Sequence, residues 1–112
     1  MRAAVAVVAA TLAACSPAPT SFAGTWGVDQ AQCKIPQEMA EAPMILTERG
    51  FDQHEAHCTF RNVTSTGPGA WKVESACVVE GNEQTDTMDL AVNGDTLTLD
   101  PGPNARTLVR CR

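Results

Sequence analysis

The sequence predicts an all-β fold: a small antiparallel meander of about seven strands, closed or nearly closed into a barrel. Two observations carry this prediction. Short β-like runs alternate with Gly, Pro and Asn turn signals from Phe22 to the C-terminus, so most strands are joined by hairpins. Folding the chain about two of those turns also sorts its side chains into one apolar and one polar face. Closing such a meander removes exposed edges.

The first strand runs from Phe22 to Val28 and the second from Met44 to Thr47. Between Gln30 and Ala42 there is no alternation. Pro36-Gln37-Glu38-Met39-Ala40-Glu41 suits one helical turn or two, with Pro leading where its missing N–H costs nothing. Gly50 closes a turn into a long strand beginning at Phe51. Folding about Gly67-Pro68 sets Cys58 opposite Cys77, Phe60 opposite Ser75 and Arg61 opposite Glu74. One face then reads Ala56, Cys58 and Phe60 against Trp71, Val73, Cys77 and Val79. The other reads Glu55, His57, Thr59 and Arg61 against Lys72, Glu74 and Glu80. Directly opposed Cβ atoms lie about 4.5–5.5 Å apart, near disulfide geometry, which predicts a Cys58–Cys77 bridge.

The next hairpin is marked by Asn93-Gly94, since both central residues of a type I′ turn need positive φ. Met88, Leu90 and Val92 then share a face with Leu97 and Leu99. Asp89 and Ala91 lie opposite Thr98 and Thr96 on the other face. Pro101-Gly102-Pro103-Asn104 turns the chain into a last strand from Arg106 to Cys111.

Composition bounds the function. The chain has 112 residues, 44% hydrophobic and 4% aromatic, with 13 acidic side chains against 8 basic ones. That makes one domain, with little room for a deep catalytic cleft. Net negative charge argues against nucleic acid, which needs clustered Lys and Arg. Met1 and Arg2 precede an apolar run from Ala3 to Leu12, broken only by Thr11. The run is too short for a permanent transmembrane helix, which needs about 20 residues, and suits a signal-peptide core.

Leu12-Ala13-Ala14-Cys15 follows, and it resembles a bacterial lipobox: an apolar residue, two small ones and a Cys. The resemblance implies cleavage before Cys15 and lipidation of Cys15, hence a cell-envelope lipoprotein. Residues 1–14 are then a signal peptide, 15–21 a lipidated N-terminus with a Pro/Ser tether, and 22–112 the β domain. Several acyl chains anchor a protein firmly where one does so only marginally. Ser16, rather than Asp, is similar to the outer-membrane sorting signal of Gram-negative lipoproteins, which implies an outer-membrane anchor facing the periplasm. Removing residues 1–14 leaves seven basic against 13 acidic side chains, a net charge of −6.

With Cys15 lipidated, Cys33, Cys58, Cys77 and Cys111 remain, an even set that an oxidising compartment turns into two bridges. Cys33 follows the first strand and Cys111 ends the last, so a Cys33–Cys111 bridge ties the two ends of the sheet. Chain entropy assigns about 4–5 kcal/mol to that long loop and about 3 to the shorter one. Five aromatic residues make a thin core, which such constraint supports.

Candidate chemistry is sparse. His54-Glu55-Ala56-His57-Cys58 suggests a metal, but on one strand His54 and Cys58 point opposite to Glu55 and His57, and Cys58 is needed for its bridge. The spacing also lacks the helical i, i+4 histidines of zinc proteases. Glu80, Glu83, Asp86 and Asp89 match no calcium loop and read as a charged solvent face. There is no nucleophile elbow, phosphate loop or Cys-x-x-Cys pair. No catalytic residue, metal or cofactor is therefore expected.

Gly24-Thr25-Trp26 on the first strand is similar to the Gly-x-Trp that opens lipocalins and bacterial metalloprotease inhibitors. The resemblance implies structural roles, with Trp26 plugging one barrel end and Gly24 admitting a close backbone. It also implies an inhibitory arm ahead of the motif, where Ser16 to Ser21 stands here. Four paired cysteines and a lipid-anchored arm depart from that pattern. With its terminal Leu108-Val109-Arg110-Cys111 the domain resembles small exported disulfide-containing β proteins that have no assigned activity. The expected function is a non-catalytic envelope lipoprotein, held to the membrane by its lipid and presenting an acidic surface to a protein partner. The alternatives are a periplasmic inhibitor of a secreted protease or lysozyme and, last, a small-ligand barrel.

Overall fold

Eight strands follow one another round a closed antiparallel barrel in the computed structural model, which describes residues 21–112. They are β1 (Gly24–Gly27), β2 (Met44–Leu46), β3 (Gly50–Gln53), β4 (Ala56–Gly67), β5 (Ala70–Val79), β6 (Asn82–Asn93), β7 (Thr96–Leu99) and β8 (Arg106–Arg110). Each pairs with the next, and β8 returns to β1 with Trp26 opposite Arg110 and Gly27 opposite Val109. The all-β meander and its closure match the sequence expectation. The signal peptide, Cys15 and the tether up to Thr20 lie outside the described residues.

The strand count rises from seven to eight because the long strand expected from Phe51 breaks. His54 and Glu55 form a tight turn, with Gln53 opposite Ala56 on either side. His54 takes φ 54°, a left-handed conformation that His tolerates better than bulky residues do. Gln37 holds it there: its Oε1 accepts from the His54 N–H at 2.7 Å, and its carbonyl lies 2.9 Å from His54 Nδ1. This long-range clamp has no local sequence signal.

The β4–β5 hairpin keeps the expected register from Ala56 to Phe60, with Cys58 opposite Cys77. It then slips by one. Glu74 faces Asn62 rather than Arg61, and Asn62 Nδ2 donates to Glu74 Oε1 at 3.3 Å. A bulge at Arg61 restores the apolar parity beyond it by turning Val63 toward Val73. The β6–β7 register differs too. Leu90 faces Leu99 and Val92 faces Leu97, so the turn residues are Gly94 and Asp95, not Asn93 and Gly94. Gly94 has φ 63° at the first turn position, where a type II′ turn requires glycine. The shift spans two residues, so every side chain keeps its expected face.

The helical turn also moves. A single 3-10 turn covers Gln32–Lys34, and residues 36–41 form hydrogen-bonded turns instead. Asp29 Oδ1 accepts from the Gln32 N–H at 2.9 Å, a side-chain contact that favours a turn there, four residues before Pro36. The core is a continuous layer of Trp26, Met44, Leu46, Val73, Leu90, Val92, Leu97, Leu99 and Leu108, closed at one end by Phe22. Trp26, Val73 and Leu97 are wholly buried.

Candidate functional site

The end of the barrel where the chain enters is fastened by one guanidinium. Arg110, opposite Trp26 in the closing pair, lays its charge 4.4 Å from the Trp26 ring centre. It donates to the carbonyls of Ala23 at 3.1 Å, Ser21 at 3.4 Å and Gly94 at 3.4 Å, and to Asp95 Oδ1 at 3.2 Å. The incoming chain, the β6–β7 turn and the last strand are thereby joined at one point. Gly24 makes room for this: its φ is +149°, and a Cβ there would lie 2.9 Å from Arg110 Nη1. Trp26 Nε1 donates to the Phe22 carbonyl at 2.9 Å, which satisfies the buried indole. Phe22 then sits edge-on between Trp71 and Phe60, with centroids 5.0 and 6.1 Å away. The sequence shows Arg110 only as part of the terminal Leu108-Val109-Arg110-Cys111 run, without this role. Its signal is the closing register, which no local pattern reveals.

The two bridges are Cys33–Cys111 and Cys58–Cys77. Segment 28–34 folds back so that Cys33 reaches Cys111 beside the β1–β8 seam. Gln30 reinforces the seam: its Nε2 donates to the Arg110 carbonyl at 2.9 Å, and its Oε1 accepts from the Arg112 N–H at 3.2 Å. Cys58 and Cys77 are 7% and 2% exposed, so their bridge belongs to the interior.

The expected single-strand arrangement of His54 to Cys58 does not form, because His54 and Glu55 sit in the β3–β4 turn. His54 Nε2 lies 3.4 Å from Glu55, whereas His57 Nδ1 meets Asp52 Oδ1 at 2.7 Å on the solvent side. Among the described residues no three His, Cys, Asp or Glu side chains gather around one point. Glu80 lies in the β5–β6 turn. Glu83, Asp86 and Asp89 lie on β6 opposite Val78, Ser75 and Lys72, so Asp86 takes a different face from the other two. Ser75 itself is 2% exposed and its Oγ has no hydrogen-bond partner.

What faces outward is a sheet surface. An open depression of about 640 Å³ lies across β4, β5 and β6, bordered by Thr59, Arg61, Ala76, Val78, Glu83 and Thr85. A second, of about 360 Å³, lies where the chain enters, among Ser21, Phe22, Glu48, Val63 and Trp71. Val63 and Val78 are each 42% exposed within these surfaces. Comparison of the chain with protein-family models, with curated proteins and with solved structures finds no match.

Proposed function

We propose that this chain is a non-catalytic, lipid-anchored cell-envelope protein whose disulfide-pinned barrel presents a protein-binding surface. The observation that carries the reading is how the polar groups divide. Arg110, Gln30, Gln37 and His54 are committed to internal fastening, whereas Thr59, Arg61, Glu83 and Thr85 border an open depression across β4, β5 and β6. Two disulfides fit an oxidising, exported setting. They leave Cys15 as the fifth, unpaired cysteine, in the lipobox-like Leu12-Ala13-Ala14-Cys15. Ser16, similar to the outer-membrane sorting signal of Gram-negative lipoproteins, supports an anchor in the outer membrane facing the periplasm. The test is metabolic labelling with palmitate in the native host. The wild type is expected to label and to partition into detergent, and Cys15→Ser to do neither. Equal behaviour of the two would remove the anchor.

A second reading is inhibition of a secreted protease or lysozyme. The Gly24-Thr25-Trp26 resemblance and the acidic surface favour it, since such a surface steers toward a basic enzyme. Purified protein at micromolar concentration is then expected to slow at least one enzyme in a panel of lysozymes and metalloproteases; no slowing of any would dismiss the reading. Carriage of a small ligand inside the barrel ranks last, because Trp26, Leu46, Val73, Leu90 and Leu97 occupy the interior.

A further inference from the structure

The barrel closes, yet its strands are unequal. β6 has twelve residues and its neighbour β7 has four. β7 covers only Leu90–Asn93. Asp89 is met by Asp100, whose N–H donates to the Asp89 carbonyl at 2.8 Å and whose Oδ1 accepts from the Asp89 N–H at 3.0 Å. Asn82 to Met88 is therefore paired on one side alone, against Val73–Val79 of β5. Every second residue of such a strand turns its N–H and C=O away from its partner, so this edge offers about three outward donor–acceptor sets. Asn82 to Thr87 are all exposed.

The same sector holds the protein's net charge. From Val73 to Ala105 the chain carries seven acidic side chains and no Lys or Arg. From Cys15 to Lys72 and from Arg106 onward, six acidic side chains meet seven basic ones. Glu80, Glu83, Asp86 and Asp89 lie on or beside the free edge. Among the nearby basic groups, Lys72 faces Asp89 across the β5–β6 pair, and Arg61 lies two strands away on β4. Glu83 and Asp86 thus front the edge without a basic neighbour opposite them. A second copy of the chain is a poor occupant, since two such edges would bring eight of these carboxylates together. An extended segment carrying Lys or Arg satisfies the backbone and the charge at once.

We propose that the free edge of β6, Asn82–Met88, takes an extended, positively charged segment of a partner protein as an added strand. This deepens the binding reading above and rests on it. The test uses the full-length protein and three fluorescent eight-residue peptides. One alternates Lys with Val and Thr, one is the same peptide N-methylated at every residue, and one has Glu in place of Lys. The Lys peptide is expected to bind at micromolar concentration and to protect amides within 82–88 from hydrogen exchange. The N-methylated and Glu peptides are expected to bind at least about tenfold more weakly, the one lacking donors and the other repelled. Glu83→Gln/Asp86→Asn should weaken the Lys peptide about tenfold and flatten its salt dependence. Asp29→Asn/Glu48→Gln, the same change of charge at the 3-10 turn and the chain-entry depression, should shift it less than about twofold.

Four results would overturn the proposal: no binding at millimolar peptide, binding without protection of 82–88, equal binding of the N-methylated peptide, or equal loss in the two double variants. Concentration-dependent protection of 82–88 without peptide would overturn it in favour of a second copy. The envelope reading fails separately, through the palmitate label on Cys15.

Discussion

Removing the Cys33–Cys111 bridge tests how the barrel is held shut. The bridge spans 78 positions of the sequence, and the chain-entropy relation for a loop of that size gives about 4.5 kcal/mol at 25 °C. Both cysteines are partly exposed, so converting them to Ala adds only a small packing loss. The remaining seam is thin. β1 and β8 share two residue pairs, and the neighbouring bonds are Cys111 N–H to the Thr25 carbonyl at 2.8 Å and the two made by Gln30. At about 1 kcal/mol net apiece, those three bonds contribute roughly 3 kcal/mol, to which the Arg110 contacts with Trp26 and the Ala23 carbonyl add. Cys33→Ala/Cys111→Ala is expected to lose about 4–5 kcal/mol in urea unfolding followed by tryptophan emission. Its Tm should fall on the order of 20–30 °C for a domain of this size. A loss below about 2 kcal/mol would refute the reasoning, because the sheet would then be closing without help from its ends.

Other expectations are testable on the same protein. Gly24→Ala should cost about 1–3 kcal/mol through its positive φ and the approach of Arg110. Arg110→Met should cost about 2–4 kcal/mol in chemical denaturation by losing the Trp26 stacking and its carbonyl contacts. Combined, the two should cost less than their sum, since removing the guanidinium frees the space that Ala needs; strict additivity would contradict the packing described here. Ser75→Ala should be neutral or stabilising by about 1 kcal/mol, because its buried hydroxyl has no partner, and a clear loss of stability would reveal one. Phe22→Ala should cost about 3–4 kcal/mol and shift Trp71 emission to the red, as the aromatic plug beside that ring is lost.

The candidate surface was only half legible. Glu80, Glu83, Asp86 and Asp89 stand out in the sequence as a charged group, and the sequence alone shows that no basic residue follows Lys72 until Arg106. That these acids line an unpaired edge depends on the four-residue length of β7, which is set where the chain turns at Asp100 to meet β8. The Trp26–Arg110 fastening was similarly hidden, because 83 intervening residues must close into a barrel before the two face each other.

By itself the sequence determined which side chains face the core, that Cys58 lies across from Cys77, and that the chain runs as an antiparallel meander. Alternation along a strand is a local property, so the apolar and polar rows can be read residue by residue. Only the tertiary structure decided the registers and breaks: the slip at Arg61, the turn moved to Gly94-Asp95, and the division of one long strand at His54. A shift of two residues leaves every face unchanged, and a clamp from Gln37 acts across the fold. Such choices are made by closure and by distant partners, to which local patterning is blind.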